Sequence, residues 1–128
     1  MFLASKPGAY ISRETISEAT RVPHDYLLKV LNRLDAAEIV ESRRGRDGGY
    51  RLRSMPQEIT ALDVVLSIES IPRIVECPLG FPGHEQLCPL HQLMDDASRS
   101  VDDAFRKTKI ADLLPRKLFN SCEFPLKE

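Results

Sequence analysis

Two cysteines and two histidines lie close together in one proline-rich stretch of the chain. The residues are Cys77, His84, Cys88 and His91. Thiolates and neutral imidazoles are the groups that bind zinc and iron in proteins. Cys88 and His91 are three residues apart at a predicted helix start, so both can ligate one metal ion. Their spacing matches no zinc-finger signature, and the residues alone leave open both a metal site and a set of ordinary thiols.

The same residues do not predict an enzyme. A nucleophilic cysteine needs a base that an orienting partner holds in place, and no such partner accompanies Cys88 and His91. The chain also lacks a glycine-rich phosphate loop, a metalloprotease helix motif and a nucleophile elbow. We therefore expect no enzymatic activity and no small-molecule substrate.

A second candidate site is a cluster of arginines around a glycine-rich turn. Residues 42–54 contain one acidic residue, Asp47, and five arginines: Arg43, Arg44, Arg46, Arg51 and Arg53. Arginines at a hairpin tip can bind phosphates or enter the minor groove of duplex DNA. Gly45, Gly48 and Gly49 keep this tip thin. The pattern favours DNA as the partner over a solvated hairpin that contacts another protein.

The elements before this turn are two short predicted helices. Ser12 is a good N-cap for a helix that runs to about Thr20, and Pro23 suits the first position of a second helix over about 23–37. Helix, tight turn and helix is the pattern of a helix-turn-helix. The outer face of the second helix carries His24, Asp25, Tyr26, Lys29 and Arg33. Lys29 and Arg33 are predicted phosphate contacts, and Tyr26 is either a phosphate contact or a half-buried packing residue.

The arginine turn is predicted to be the tip of a β-hairpin. Residues 39–43 and 50–53 alternate between apolar and polar types on either side of the turn. A hairpin directly after a helix-turn-helix forms a wing. The predicted fold is therefore mainly α with a small β-hairpin wing.

Two further helices follow the wing. One begins at Thr60, with Asp63 completing a capping-box-like pair, and runs to about Ser70. Prolines then forbid regular structure over 72–89. From Leu90 to Ala111 small and apolar residues recur in steps of four and three, about three heptads that end before Pro115. This long helix favours a dimer interface over packing on its own core. The predicted division is 1–71 for DNA binding, 72–89 for a cysteine-containing sensor loop, and 90–128 for the dimerisation helix and tail.

The net charge of −1 conceals a polarised chain. Residues 1–54 carry ten basic and seven acidic side chains, whereas residues 55–128 carry eight and twelve. The basic excess therefore lies in the predicted DNA-binding half. No apolar run is long enough to span a membrane, no signal-peptide pattern is present, and three cysteines form no disulfide framework. These features predict a cytoplasmic protein.

These segments together resemble the Rrf-two (Rrf2) family of bacterial winged helix-turn-helix regulators, to which IscR, NsrR and CymR belong. The matching residues are Ile16–Ala19, Tyr26–Leu31, Ile39–Leu52 and Glu58–Thr60, and the Gly-Gly-Tyr wing followed by Ile-Thr is the specific part. The resemblance implies a transcriptional regulator that binds palindromic operator DNA as a homodimer. The predicted DNA-binding residues are Ser12, His24, Asp25, Tyr26, Lys29, Arg33, Arg43, Arg44, Arg46, Gly48, Gly49, Tyr50 and Arg51.

The resemblance also implies a cofactor. Several members of the family carry a [2Fe–2S] or [4Fe–4S] cluster on three cysteines before the dimer helix. By position Cys77 and Cys88 match the first and third of these cysteines, and His91 matches a histidine ligand of IscR-like members. The middle cysteine is absent, and the stretch containing His84 takes its place. A cluster held by Cys77, Cys88, His91 and one other ligand, for which His84 is a candidate, agrees with this pattern. A clusterless protein whose cysteines are remnants or thiol sensors agrees with it too. The resemblance thus implies a regulator that responds to iron–sulfur, redox or nitric-oxide status.

Two departures from the family are visible. Family members generally begin with a helix before the segment that matches Met1–Ser5, so we expect a truncated chain or a misplaced start, with core surface exposed on the second and long helices. Glu38 stands where the family usually has glycine, at a cost of about 1 kcal/mol if the backbone there is left-handed. The competing functions are a winged-helix module that binds protein and a metal–thiolate binding protein.

Overall fold

The computed structural model describes residues 1–83 and 86–115. Six main elements occur in this part of the chain: α1 (Arg13–Thr20), α2 (His24–Ala36), β1 (Val40–Arg43), β2 (Gly49–Leu52), α3 (Ala61–Ile68) and α4 (Pro89–Lys107). Short 3-10 turns occupy Leu3–Ser5 and Ile110–Leu113. The expected class, mainly α with one antiparallel hairpin and a long C-terminal helix, is confirmed.

The helix-turn-helix is held by local polar contacts. The Ser12 hydroxyl accepts a hydrogen bond from the Thr15 amide at 3.1 Å, and so caps α1 as predicted. In the turn, the Ser17 hydroxyl donates to the Val22 carbonyl at 2.7 Å. Pro23 is the N-cap of α2 and not its first helical residue, because its ψ of 140° is extended. The prediction for Pro23 was wrong by one position.

The hairpin is joined to the body of the protein by a short third strand segment. Within the hairpin, Val40 pairs with Leu52 and Arg43 pairs with Gly49. On the outer side of β2, Tyr50 donates its amide to the Ile11 carbonyl at 2.8 Å and accepts from the Ile11 amide at 3.0 Å. Since Ile11 directly precedes the cap of α1, the wing and the helix-turn-helix are fixed to one another.

The third helix begins where the sequence predicts. The Thr60 hydroxyl accepts from the Asp63 amide at 3.0 Å, and Asp63 accepts from the Thr60 amide at 2.8 Å, so the capping box is complete. Hydrogen bonds from Thr60 hold the pKa of Asp63 below its ordinary value. The helix ends at Ile68, two residues before the predicted end, where the Arg33 guanidinium donates to the Ile68 carbonyl at 2.7 Å.

The core gathers side chains from the N-terminal turn, α1, α2, β1 and the segment after α4. Its buried members are Phe2, Leu3, Ala4, Ile16, Ala19, Leu27, Leu31, Ile39, Val40, Ile59 and Ile110. The short N-terminal segment is therefore part of the core, and on α2 both Leu27 and Leu31 are buried. Several apolar side chains of α4 face solvent.

The long helix is shorter than the heptad pattern predicts. It ends at Lys107, and Thr108 is extended with ψ of 124°. The chain then pairs with the start of α3: the Ala61 amide donates to the Thr108 carbonyl at 2.8 Å, and the Ile110 amide donates to the Ile59 carbonyl at 2.9 Å. Burial of Ile110 and these bonds replace the last helical turns, so the prediction of a helix to Ala111 was wrong.

Glu38 has the left-handed backbone that the comparison with the family anticipates. Its φ is 59°, and its carboxylate lies 3.3 Å from Arg53 on the neighbouring segment. The Glu38 side chain is exposed, so this ion pair contributes little. None of the described helices is both long and apolar enough to cross a membrane.

A buried carboxylate fastens the loop before α4 to that helix. Asp95 has a side chain only 4% exposed, and it accepts two hydrogen bonds from Arg73 at 2.6 and 2.9 Å and one from the Ile74 amide at 3.1 Å. Arg99 adds a fourth at 3.1 Å. The hydrogen bonds from Arg73 are the main reason that the pKa of Asp95 falls to about 2.

Asp95→Asn is expected to lower the urea midpoint at neutral pH and to flatten the acid limb of the stability profile. Because the folded-state pKa is depressed from 3.8 to about 2, the stability contributed by the charged carboxylate is complete above the unfolded pKa and is lost as pH falls from about 4 to 2. Urea titrations across this range measure it. Asp102→Asn, which breaks one exposed pair with Arg106, is the control, and an Asp95→Asn profile parallel to that of the wild type contradicts the assignment.

Candidate nucleic-acid interface and cysteine loop

The outer face of α2 presents exposed polar side chains near the start of the helix. His24, Asp25, Tyr26 and Lys29 are all exposed, and their side chains form no hydrogen bond or ion pair with any described residue. Tyr26 is 60% exposed, so it is not a packing residue. These four side chains occupy the N-terminal turns of the helix, which is the part of a recognition helix that faces base edges.

Arg33 has a structural partner. Its guanidinium reaches the Ile68 carbonyl at the end of α3, 35 residues away in sequence. This bond satisfies one of the carbonyls that a helix end leaves unpaired. Arg33 therefore joins α2 to α3, and its predicted phosphate contact stays a prediction.

Some of the wing arginines form ion pairs within the protein, and others have no such partner among the described residues. Arg51 forms an ion pair with Glu41, and hydrogen bonding from Arg51 is the main cause of the lowered pKa of Glu41. Arg53 pairs with Glu38, as described above. By contrast, Arg44 and Arg46 at the tip are exposed, and their side chains have no hydrogen-bond or ionic partner among residues 1–83 and 86–115. The tip therefore carries two uncompensated cations.

The remaining predicted wing residues build the site and hold its shape. Gly49 has φ of +140°, and a Cβ placed there would lie 2.3 Å from the Ile11 carbonyl oxygen. Tyr50 supplies the backbone that pairs with Ile11, and a Cβ on Gly48 would lie 2.2 Å from the Arg43 carbonyl. Between Ser12 and the wing tip lies an open groove of about 330 Å³. The backbone of Gly49 therefore lies close to that of Ile11 at the base of the wing, and the groove lies beside Arg46 nearer the tip.

Tyr10 is a component of this region that carried no sequence signal. Its ring lies under the wing, 5.6 Å from the Arg43 guanidinium carbon and 4.6 Å from that of Arg51. Its hydroxyl donates to Glu41 at 3.1 Å. These contacts span 31 to 41 residues of sequence, so no local pattern could have indicated them.

The cysteine loop brings one thiol and one imidazole together. Cys88 is the N-cap of α4, and its sulfur lies 3.3 Å from His91 Nδ1. Cys77 is buried, and His84 lies outside the described residues. In the part of the chain that the structure describes, no three His, Cys, Asp or Glu side chains are arranged to hold a metal ion. An iron–sulfur cluster needs four ligands, so these residues do not by themselves fit one.

One solvent-facing side of α4 is apolar. Leu90, Leu93, Met94 and Val101 are between 45% and 66% exposed. Their spacing places them on one side of the helix, about 100° or more from Asp95, which faces the loop. A solvent-facing stripe of this kind is typical of an interaction surface.

Comparisons with known proteins agree with this architecture. The family model Rrf2, described as an iron-dependent transcriptional regulator, matches residues 1–116. The HTH-type transcriptional regulator NsrR of Bacillus subtilis is 37% identical, and the match covers 91% of this chain and 83% of NsrR. Among solved structures, CymR (YrzC), the global cysteine regulator of B. subtilis, has a TM-score of 0.72 at 27% identity, with 87% of this chain and 83% of CymR covered. CymR of Staphylococcus aureus has a TM-score of 0.69 at 28% identity, with 87% of this chain and 84% of that protein covered.

The family match covers the helix-turn-helix, the wing and the long helix together. The relatives are named as transcriptional regulators. By this match the chain belongs to the Rrf2 family and is a DNA-binding transcriptional regulator, not an enzyme.

Proposed function

We propose that two copies of the chain associate through α4 and bind a palindromic operator. In each copy α2 enters the major groove, and Arg44 and Arg46 bind the backbone or minor groove beside it. The observation that carries this proposal is the pair of exposed arginines without a partner among the described residues. Positive charge that is not neutralised within the protein is free to replace counterions on the phosphates, which supplies much of the affinity of such complexes.

A second copy of this chain is the partner that best fits the apolar side of α4. Leu90, Met94 and Val101 recur at steps of four and seven, so the same face on an identical helix can pack against it. Two-fold symmetry of the protein then requires two-fold symmetry of the DNA site. This is the reason that the operator is proposed to be palindromic.

In the same proposal the chain has three functional parts. Residues 1–71 read DNA, residues 72–89 form the sensor loop, and residues 90–128 provide the association helix and tail. His24, Asp25, Tyr26 and Lys29 of α2 face the base edges and the adjacent phosphates. Gly48, Gly49 and Tyr50 act by shaping the wing, and Ser12 acts by capping α1.

The signal that this regulator reads is proposed to act through the loop that contains Cys77 and Cys88. The relation to an iron-dependent family and the contact between Cys88 and His91 support a thiol-based or iron-based response. The described side chains do not complete a cluster site, and the iron–sulfur cofactor stays a prediction.

Removing both tip arginines tests the DNA-binding surface. Arg44→Ala combined with Arg46→Ala is expected to weaken binding to an operator selected from a random duplex library. The slope of log affinity against log salt should fall by up to about two, since up to two phosphate contacts are lost. Fluorescence anisotropy titrations at several salt concentrations measure both quantities.

Arg106→Ala is the matched control, because Arg106 is an exposed arginine of α4 that pairs with Asp102. It should retain the wild-type slope. A double wing variant whose affinity and salt slope equal those of the wild type would show that the wing does not contact DNA.

A further inference from the structure

One face of the wing forms a compact group with Tyr10. Glu41 and Arg43 are two residues apart on β1, and Arg51 lies opposite Glu41 on β2, so all three side chains share a face of the hairpin. Tyr10 lies on this face, with its ring 4.6 Å from the Arg51 guanidinium carbon and 5.6 Å from that of Arg43. Both distances are within the range of cation–π attraction.

The charges of this group do not cancel, because it contains two arginines and one glutamate. Glu41 accepts hydrogen bonds from Arg51 and from the Tyr10 hydroxyl, and it neutralises Arg51. Arg43 is exposed, and Tyr10 is the one partner of its side chain within the described residues. Arg51 and Glu41 therefore form a neutral ion pair, and the remaining positive charge is that of Arg43, which contacts the same Tyr10 ring.

The position of Arg43 places this positive charge beside the wing tip. It is the last residue of β1, immediately before the tip arginines Arg44 and Arg46. A free arginine side chain has many rotamers, and ordering it on a ligand costs conformational entropy. A ring that already restricts the guanidinium lowers this cost while leaving its donors free to bind a phosphate.

We propose that Tyr10 is a positioning residue for DNA binding, which holds the Arg43 guanidinium so that it binds the phosphate backbone beside the wing tip. This inference rests on the proposed function and adds to it a residue outside both the recognition helix and the wing. Tyr10 itself does not contact DNA. Its effect on affinity passes entirely through Arg43.

A double-mutant cycle tests the coupling between the two residues. The full-length protein is titrated by anisotropy against a labelled mixed-sequence duplex of about 30 base pairs, long enough to carry a whole site. The variants are Tyr10→Leu, Tyr10→Phe, Arg43→Ala and the combination of Tyr10→Leu with Arg43→Ala. Tyr10→Leu should weaken binding about three- to fivefold, and Tyr10→Phe, which keeps the ring, should stay within about twofold of wild type.

The decisive comparison is the Arg43→Ala background. There Tyr10→Leu should cause no further loss, because the residue through which Tyr10 acts is gone. A general weakening of the fold would instead lower affinity equally in both backgrounds, and that result overturns the proposal, as does a Tyr10→Leu protein with wild-type affinity. Wild-type protein that fails to bind duplex DNA at all would contradict the proposed function itself, which separates the two failures.

Discussion

The double substitution Met94→Asp and Val101→Asp is expected to leave the protein monomeric. It should also lower the affinity for a palindromic operator by about 10²- to 10⁴-fold. Both side chains are about half exposed on the apolar face of α4. Two carboxylates facing their symmetry mates across an apolar seam would be desolvated and mutually repelled. The affinity falls steeply because a monomer binds one half-site and gains nothing from the second.

Sedimentation velocity measures the association state, and titration against a palindrome and against a single half-site measures the loss. Gln92→Asp is the matched control, since Gln92 is exposed on the side of α4 away from the apolar stripe. It should remain dimeric and bind the palindrome as the wild type does. A double aspartate variant that sediments as a dimer would show that the two copies associate elsewhere.

The second large effect is expected at the base of the wing. Gly49→Ala should reduce the free energy of unfolding by about 3 kcal/mol. The backbone φ of +140° disfavours any side chain, and the new methyl group would lie 2.3 Å from the Ile11 carbonyl oxygen. Relief of that overlap requires the wing to move away from Ile11, which breaks the two hydrogen bonds that Tyr50 makes there.

Urea unfolding followed by circular dichroism measures this loss. Gly80→Ala is the control, because Gly80 also has a left-handed backbone, with φ of +61°, but a Cβ there would meet nothing within 4 Å. It should cost only about 1 kcal/mol. Equal losses for the two variants would mean that the close approach of the wing to Ile11 contributes nothing to stability.

Features fixed by local chemistry could be predicted from the sequence. The Ser12 cap and the Thr60–Asp63 capping box each involve residues three apart, so the helix starts follow from side chains that are close in sequence. The hairpin likewise follows from a glycine-rich turn between alternating strands. These are also the elements that carry the family resemblance.

Features decided by tertiary contacts could not be predicted in this way. The spacing that defines α4 continues through Thr108 and Ala111, yet the helix ends at Lys107 because the chain gains more from pairing with Ile59 and Ala61 and from burying Ile110. The arginines show the same limit in the site. Composition marks the wing arginines and Arg33 alike as DNA ligands, whereas the fold gives Arg33 and Arg51 partners within the protein. Arg44 and Arg46 have no such partner in the part of the chain that the structure describes.

The pairing of Lys109 with Thr60 has a mechanical consequence. The chain leaves α3 at Ile68 and returns, after α4, to the beginning of that same helix, so the C-terminal end of α4 is fixed to the start of α3. Pro89, beside Cys88, lies 18 residues from Lys107, or about 27 Å along the helix axis. A rotation of α4 by about 5° about this fixed end would therefore displace the cysteine end by about 2.4 Å. In the proposed dimer, a displacement at Cys88 would be transmitted along α4 to the end of the helix that the start of α3 holds.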